Sequence, residues 1–181
     1  MLSWDMGGMK VRVYFGFFAM ICFNFYIFDS GSAEMCAALT ACFLHELGHL
    51  AAMFALEEKP RAVCLYCGGM KLLPARRMTE RPKQAVILAA GCTVNLILAL
   101  ISLAIGAEDF SRVQLATGLL NLLPFSALDG GRLMRLFLPE NARRAAAVVT
   151  GAILTACITA AGSPPLALML AAYAAAAEFL M

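Results

Sequence analysis

The chain has 181 residues, of which 62% are hydrophobic and 14% charged, with a mean hydropathy of +0.80 and a formal net charge of +2. A soluble domain carries roughly 25% charged residues, so this composition excludes one and points to a polytopic membrane protein. No basic stretch is interleaved with aromatics, which argues against nucleic-acid binding.

Residues 1–12 are a short polar start containing Lys10 and Arg12. Residues 13–28 are apolar and rich in Phe. Gly31-Ser32-Ala33 offers the small residues of a signal-peptide cleavage site. The favoured reading is a retained first transmembrane helix, a little short for the ~20 residues a bilayer needs. Residues 33–56 form the second helix.

Residues 57–83 break the helical pattern. Two β-prone runs flank Gly68-Gly69 and read as a hairpin at the membrane surface. Its exposed edge could accept an extended substrate by strand addition. Residues 85–105 form the third helix, with Gly91 and Asn95 inside it. A short acidic turn, residues 106–111, carries Glu108 and Asp109.

Residues 112–138 are the fourth membrane segment, interrupted by Pro124, Asp129, Gly130 and Gly131. Broken helices are tolerated in membranes where they are buried in protein or line a watery site. Residues 145–161 and 166–181 read as helices five and six, the last short enough to be re-entrant. The expected fold is thus all-α and polytopic, with about six transmembrane helices and a small membrane-associated β-hairpin between helices two and three. It forms a single domain over 1–181, with a core at about 10–138 and C-terminal helices at about 143–181.

The seven cysteines are odd in number and irregularly spaced, so no disulfide framework is expected. Cys22, Cys36, Cys42, Cys92 and Cys157 lie in apolar or Ala-rich runs and read as small hydrophobes. Cys64-x-x-Cys67 lacks the second pair that a zinc ribbon requires.

Charge gives an orientation. With six spans and a cytoplasmic N-terminus, thirteen of the fourteen Lys and Arg residues fall on the cytoplasmic side, all but Arg112. The second and fourth segments then both run inward. Their polar residues lie at similar depth, toward the cytoplasm.

The chemistry centres on His45-Glu46-Leu47-Gly48-His49, which holds the only two histidines of the chain. Positions i and i+4 of a helix share one face, so both imidazoles can ligate one zinc ion. Glu46 stands beside them as a general base able to take a proton from water. A carboxylate within an apolar span is costly and marks a functional position. A catalytic zinc needs a third protein ligand. Asp129 is the candidate, in Asn121-Leu-Leu-Pro124-Phe-Ser-Ala-Leu128-Asp129-Gly130-Gly131. Asp-Gly is also a common turn pair, but the zinc motif at the same depth favours the ligand reading.

These residues resemble the site-2 protease family of intramembrane zinc metalloproteases. The family's HExGH motif and its later N-x-x-P-x-x-x-L-D-G-G motif are both intact. Gly91 and Asn95 match its Gly-x-x-x-Asn, and Gly68-Gly69 is similar to the Gly-Gly of its membrane-associated hairpin. The resemblance covers roughly residues 10–138. It implies a Zn2+ enzyme that cuts membrane-spanning or membrane-associated proteins. His45, His49 and Asp129 would hold the metal, Glu46 would be the catalytic base, and Asn121 would lie near the substrate. The short form looks most like the sporulation branch, whose substrate is a membrane-associated sigma-factor precursor. The implied setting is a bacterial cytoplasmic membrane, with the active site toward the cytoplasm. The partners expected are a membrane protein substrate, the lipid bilayer and a regulatory membrane protein.

Three other readings compete: a zinc-binding membrane protein without catalysis, such as a pseudoprotease; a zinc transporter; and, ranked last, a structural membrane protein in which the motif arises by chance. Glu46 argues against the first, because ligation alone does not need it. The second would want polar residues along several helices, and here they concentrate at one depth.

Overall fold

The structure is a computed structural model and describes residues 2–6, 8–19, 22, 33–58, 60–66, 69–74 and 80–162. It separates into two compact units, Met1–Gly118 and Leu119–Met181.

The first unit begins with two strands, β1 (Leu2–Met6) and β2 (Met9–Val13), joined antiparallel with Met6 opposite Met9. Gly8 sits in the connection at φ 87°, a backbone region that favours glycine, and its N–H donates to Asp5 Oδ1 at 2.9 Å. The expectation of a merely polar start is therefore corrected. Lys10 and Arg12 alternate with Val11 and Val13, and that period of two is a strand pattern. Strands β3 (Pro60–Tyr66) and β4 (Gly69–Pro74) form the expected antiparallel hairpin. It is not isolated: β3 also pairs in parallel with β2, giving one sheet of order β1-β2-β3-β4. Val13, Ala62, Val63 and Cys64 are buried in it, while Cys67 lies outside the described residues.

Helix α1 (Ala33–Ala55) follows the Ala- and Leu-rich run of the sequence, with Glu34 in its first turn, where the helix dipole favours a negative charge. It ends with Glu57 at φ 59°, the N–H of Glu58 reaching the carbonyl of Met53 at 2.8 Å. This is a left-handed C-terminal turn usually made by glycine. Helix α2 (Arg81–Ala104) starts with a proline in its first turn and closes in the same way at Gly106, φ 78°. There the N–H of Ala107 reaches the carbonyl of Ser102 at 2.8 Å. Helix α3 (Glu108–Asn121) starts earlier than expected, because Glu108 and Asp109 fit a helix N-terminus and pair with Arg112 at 3.1 and 3.4 Å.

The boundary between the units falls inside α3. The second unit contains a loop over residues 122–128, helix α4 (Asp129–Phe137) and helix α5 (Glu140–Ala160). Its apolar centre is Phe125 against Ala147, with Leu123, Leu128 and Leu154 around them.

Helices α1, α2 and α5 are long and apolar enough to cross a membrane. On α2, Ile97, Leu100, Ile101 and Leu103 are all exposed, as is Ile105 just past its end. Such a face is costly in water and ordinary in lipid. The chain is an integral membrane protein that is mostly helical. Of the six expected spans, three stand as single helices. The fourth is two shorter helices, α3 and α4, with an irregular break between them. Half of residues 13–28 and all of 166–181 lie outside the described residues.

Candidate functional site

His45 and His49 lie one turn apart on α1, both buried although the helix is otherwise apolar. Their Nε2 atoms are 3.1 Å apart. Two nitrogens at ~2.0–2.1 Å from one tetrahedral zinc stand about 3.3 Å from each other, so this spacing suits a shared metal. The Nδ1 of His49 lies 2.7 Å from the carbonyl oxygen of Ile87 on α2. A carbonyl can only accept, so Nδ1 carries the proton and Nε2 is left with its lone pair. This is the arrangement that orients metal-ligating histidines.

The rings fit because Gly91 faces them from α2. A Cβ on Gly91 would stand 2.5 Å from His49 Nε2 and 2.8 Å from His45 Cε1. Gly48 does the reciprocal service on α1. A Cβ there would meet the Ala90 carbonyl oxygen and Val94 Cγ2 at 2.9 Å. The two glycines let the helices approach closely enough for the α2 backbone to border the imidazoles. Glu46 is half-buried next to His45. Asn95, one turn beyond Gly91, is fully buried. It donates weakly to the Ala41 carbonyl at 3.4 Å, and its Oδ1 has no hydrogen-bond partner among the described residues.

In the second unit, Asn121 is the last residue of α3 and Asp129 the first of α4. Asp129 is buried at a helix N-terminus, where the dipole favours its negative charge. Arg132 Nη1 stands 3.6 Å from its Oδ1. The loop between Asn121 and Asp129 folds tightly under the start of α4. A Cβ on Gly130 would collide with the Leu122 carbonyl, and one on Gly131 with the Phe125 carbonyl. The paired glycines therefore have a packing reason beyond turn formation.

Among the described residues, His45, His49 and Asp129 are all buried, and each offers a ligand atom of the kind that holds zinc. Two imidazoles and a carboxylate are the donor set of many catalytic zinc centres, and it leaves a fourth position for water or substrate. The residues present fit the metal.

Sequence reasoning did not find the Ile87 carbonyl, the cradle role of Gly91, or Arg143. Arg143 is buried on α5, with Nη1 donating to the Pro124 carbonyl at 3.1 Å. The one available signal for Arg143 was a basic residue heading an Ala-rich helix, which reads as an orientation charge.

No family model matches the chain, and no curated protein matches it. A search of solved structures finds the site-2 protease from Methanocaldococcus jannaschii at a TM-score of 0.62 and 17% identity. The match covers 98% of this chain and 92% of that one. The chain shares the fold of a site-2 protease.

Proposed function

We propose that this protein is an intramembrane zinc metalloprotease of the site-2 protease type, hydrolysing peptide bonds of membrane-spanning or membrane-associated proteins. The observation that carries the reading is the His45–His49 pair, with both Nε2 atoms turned to one point and Glu46 beside them. His45, His49 and Asp129 are the ligands. Bound there, zinc supplies a Lewis acid that polarises a carbonyl and acidifies water.

The protein's own groups do the rest. The Ile87 carbonyl holds His49 in one tautomer, and Gly91 leaves room for both rings. Glu46 accepts a proton from the attacking water and returns it to the leaving amine. Asn121, the last residue of α3, is the proposed hydrogen-bonding partner of substrate backbone. A substrate helix hides its carbonyls in its own hydrogen bonds, so it must unwind locally before it is cut. Small or helix-breaking residues near the cut lower that cost. The active site faces the cytoplasm, the side on which the basic residues gather. A membrane-tethered transcription regulator or pro-sigma factor is the substrate class to screen first.

The test is zinc content per chain in detergent-purified protein, for wild type and Asp129→Ala. About one zinc per wild-type chain, sharply weakened in the variant, supports the three-ligand centre. No zinc in folded wild type would end the metalloprotease reading. Zinc unaffected by the substitution would move the third ligand elsewhere.

A further inference from the structure

Arg143 lies in the first turn of α5 and is 1% exposed, the largest fully buried side chain among the described residues. A guanidinium in such a place is costly unless its donors are used. Here Glu140 and the Pro124 carbonyl are among their acceptors. Nε and Nη2 donate to the two oxygens of Glu140, at 3.1 and 2.6 Å, in a forked arrangement. Nη1 turns the other way and donates to the Pro124 carbonyl at 3.1 Å. Glu140 is held in turn by Arg144 at 3.1 Å and Arg135 at 3.6 Å.

The Pro124 carbonyl belongs to the strip of backbone on which α4 rests. Gly130 seats against the carbonyls of Leu122 and Leu123, and Gly131 against those of Phe125 and Pro124. A Cβ on Gly131 would come 2.9 Å from the Pro124 oxygen, the same atom that Arg143 holds. Two residues before Gly131 stands Asp129. Backbone bonds in and around the loop run from Leu122 to Leu119, Leu123 to Leu120 and Leu128 to Phe125, at 3.1, 3.1 and 2.9 Å. None of these three uses the oxygen of Pro124.

We propose that Arg143 is a positioning residue: clamped by Glu140, it fixes the Pro124 carbonyl and thereby the loop that presents Asp129 as a metal ligand. The consequence for metal binding rests on the zinc metalloprotease reading, whereas the clamp itself does not. Arg143 acts through the main chain. Its influence runs through the backbone oxygen on which the first turn of α4 is seated.

The test uses the full chain in detergent with two readouts. The first is zinc affinity by chelator competition in a double-mutant cycle of Arg143→Met with Asp129→Ala. The second is amide hydrogen exchange over residues 122–131. Arg143→Met is expected to weaken zinc about tenfold or more, the usual cost of losing support behind a ligand, and to raise exchange in that segment. In the Asp129→Ala background the same substitution should change zinc affinity less than about twofold, because the ligand it positions is already gone. Arg143→Lys should recover part of the loss, since one ammonium can reach the carbonyl but cannot form the fork.

Equal losses in both backgrounds would overturn the proposal, as would unchanged zinc affinity in Arg143→Met. If Arg143→Met does not fold, Glu140→Gln loosens the fork with the guanidinium retained, and the same cycle is run with it under the same criteria. If wild type binds no zinc, the metalloprotease reading falls, and the exchange data then decide alone. Unchanged protection over 122–131 overturns the positioning role, and lost protection sustains it.

Discussion

The Nδ1 of His49 donates to the carbonyl of Ile87 at 2.7 Å, from one long apolar helix to the next. This bond fixes which nitrogen of His49 keeps its proton, and leaves Nε2 facing the Nε2 of His45. The backbone of α2 therefore orients the His49 imidazole directly.

Gly91→Ala tests that coupling. The added methyl would occupy the place of the His49 ring, at 2.5 Å from Nε2. The helix itself should be indifferent or slightly favoured, since Ala is the better helix former. Zinc affinity is expected to drop by about 10- to 100-fold, with helix content by circular dichroism unchanged. Retained affinity would show that the imidazoles have room to move.

Glu46→Gln separates binding from catalysis. The substitution keeps size and removes the base. Zinc content should match wild type, while cleavage of a membrane substrate falls by roughly 10²- to 10⁴-fold. A variant as active as wild type would remove Glu46 from the reaction.

Gly131→Ala probes the seat of α4. The new methyl falls on the Phe125 carbonyl, which is backbone and cannot swing aside. The cost is expected at about 3 kcal/mol, read as a lower midpoint in thermal unfolding, together with weaker zinc binding. A stable Gly131→Ala protein with full zinc affinity would mean that the loop yields easily.

Asn95→Ala should matter much less to stability. The bond of Asn95 to Ala41 is long, at 3.4 Å, and its Oδ1 finds no partner among the described residues. Interhelical hydrogen bonds in membranes average about 0.6 kcal/mol, and the loss on substitution should be of that order. A loss several times larger in a denaturation titration would reveal a stronger bond than this geometry allows.

Chelation gives a broader check. Stripping zinc should abolish cleavage, and adding zinc back should restore it, with the helix content unaltered throughout. Activity that survives stripping would refute a metal-dependent mechanism.

The local features were legible in the sequence because their signals are local. The i, i+4 spacing places His45 and His49 on one face wherever the helix goes. Gly68-Gly69 between β-prone runs reads as a hairpin, and β3 and β4 pair as it requires. Pro124 lies in the break that divides the fourth segment, whereas Gly130 and Gly131 fall in the first turn of α4 rather than interrupting a helix. The N-terminal strands carried a signal too, the alternation over residues 10–13. A membrane-protein composition draws attention to apolar length instead. What makes those strands part of the sheet is a parallel pairing of β2 with β3, about fifty residues on, such as Val11 with Val63.

Sequence by itself determined the donor types, their spacing, the membrane setting and the candidate base, because each follows from residue chemistry and short-range periodicity. Only the tertiary structure decided how those donors are held. The carbonyl of Ile87, the missing side chain of Gly91 and the buried guanidinium of Arg143 each act across a gap in the chain. They act through backbone atoms or through empty space. Neither a main-chain oxygen nor an absent Cβ has a residue type that a pattern can read. Their roles exist only once packing has brought the partners within hydrogen-bond or van der Waals range.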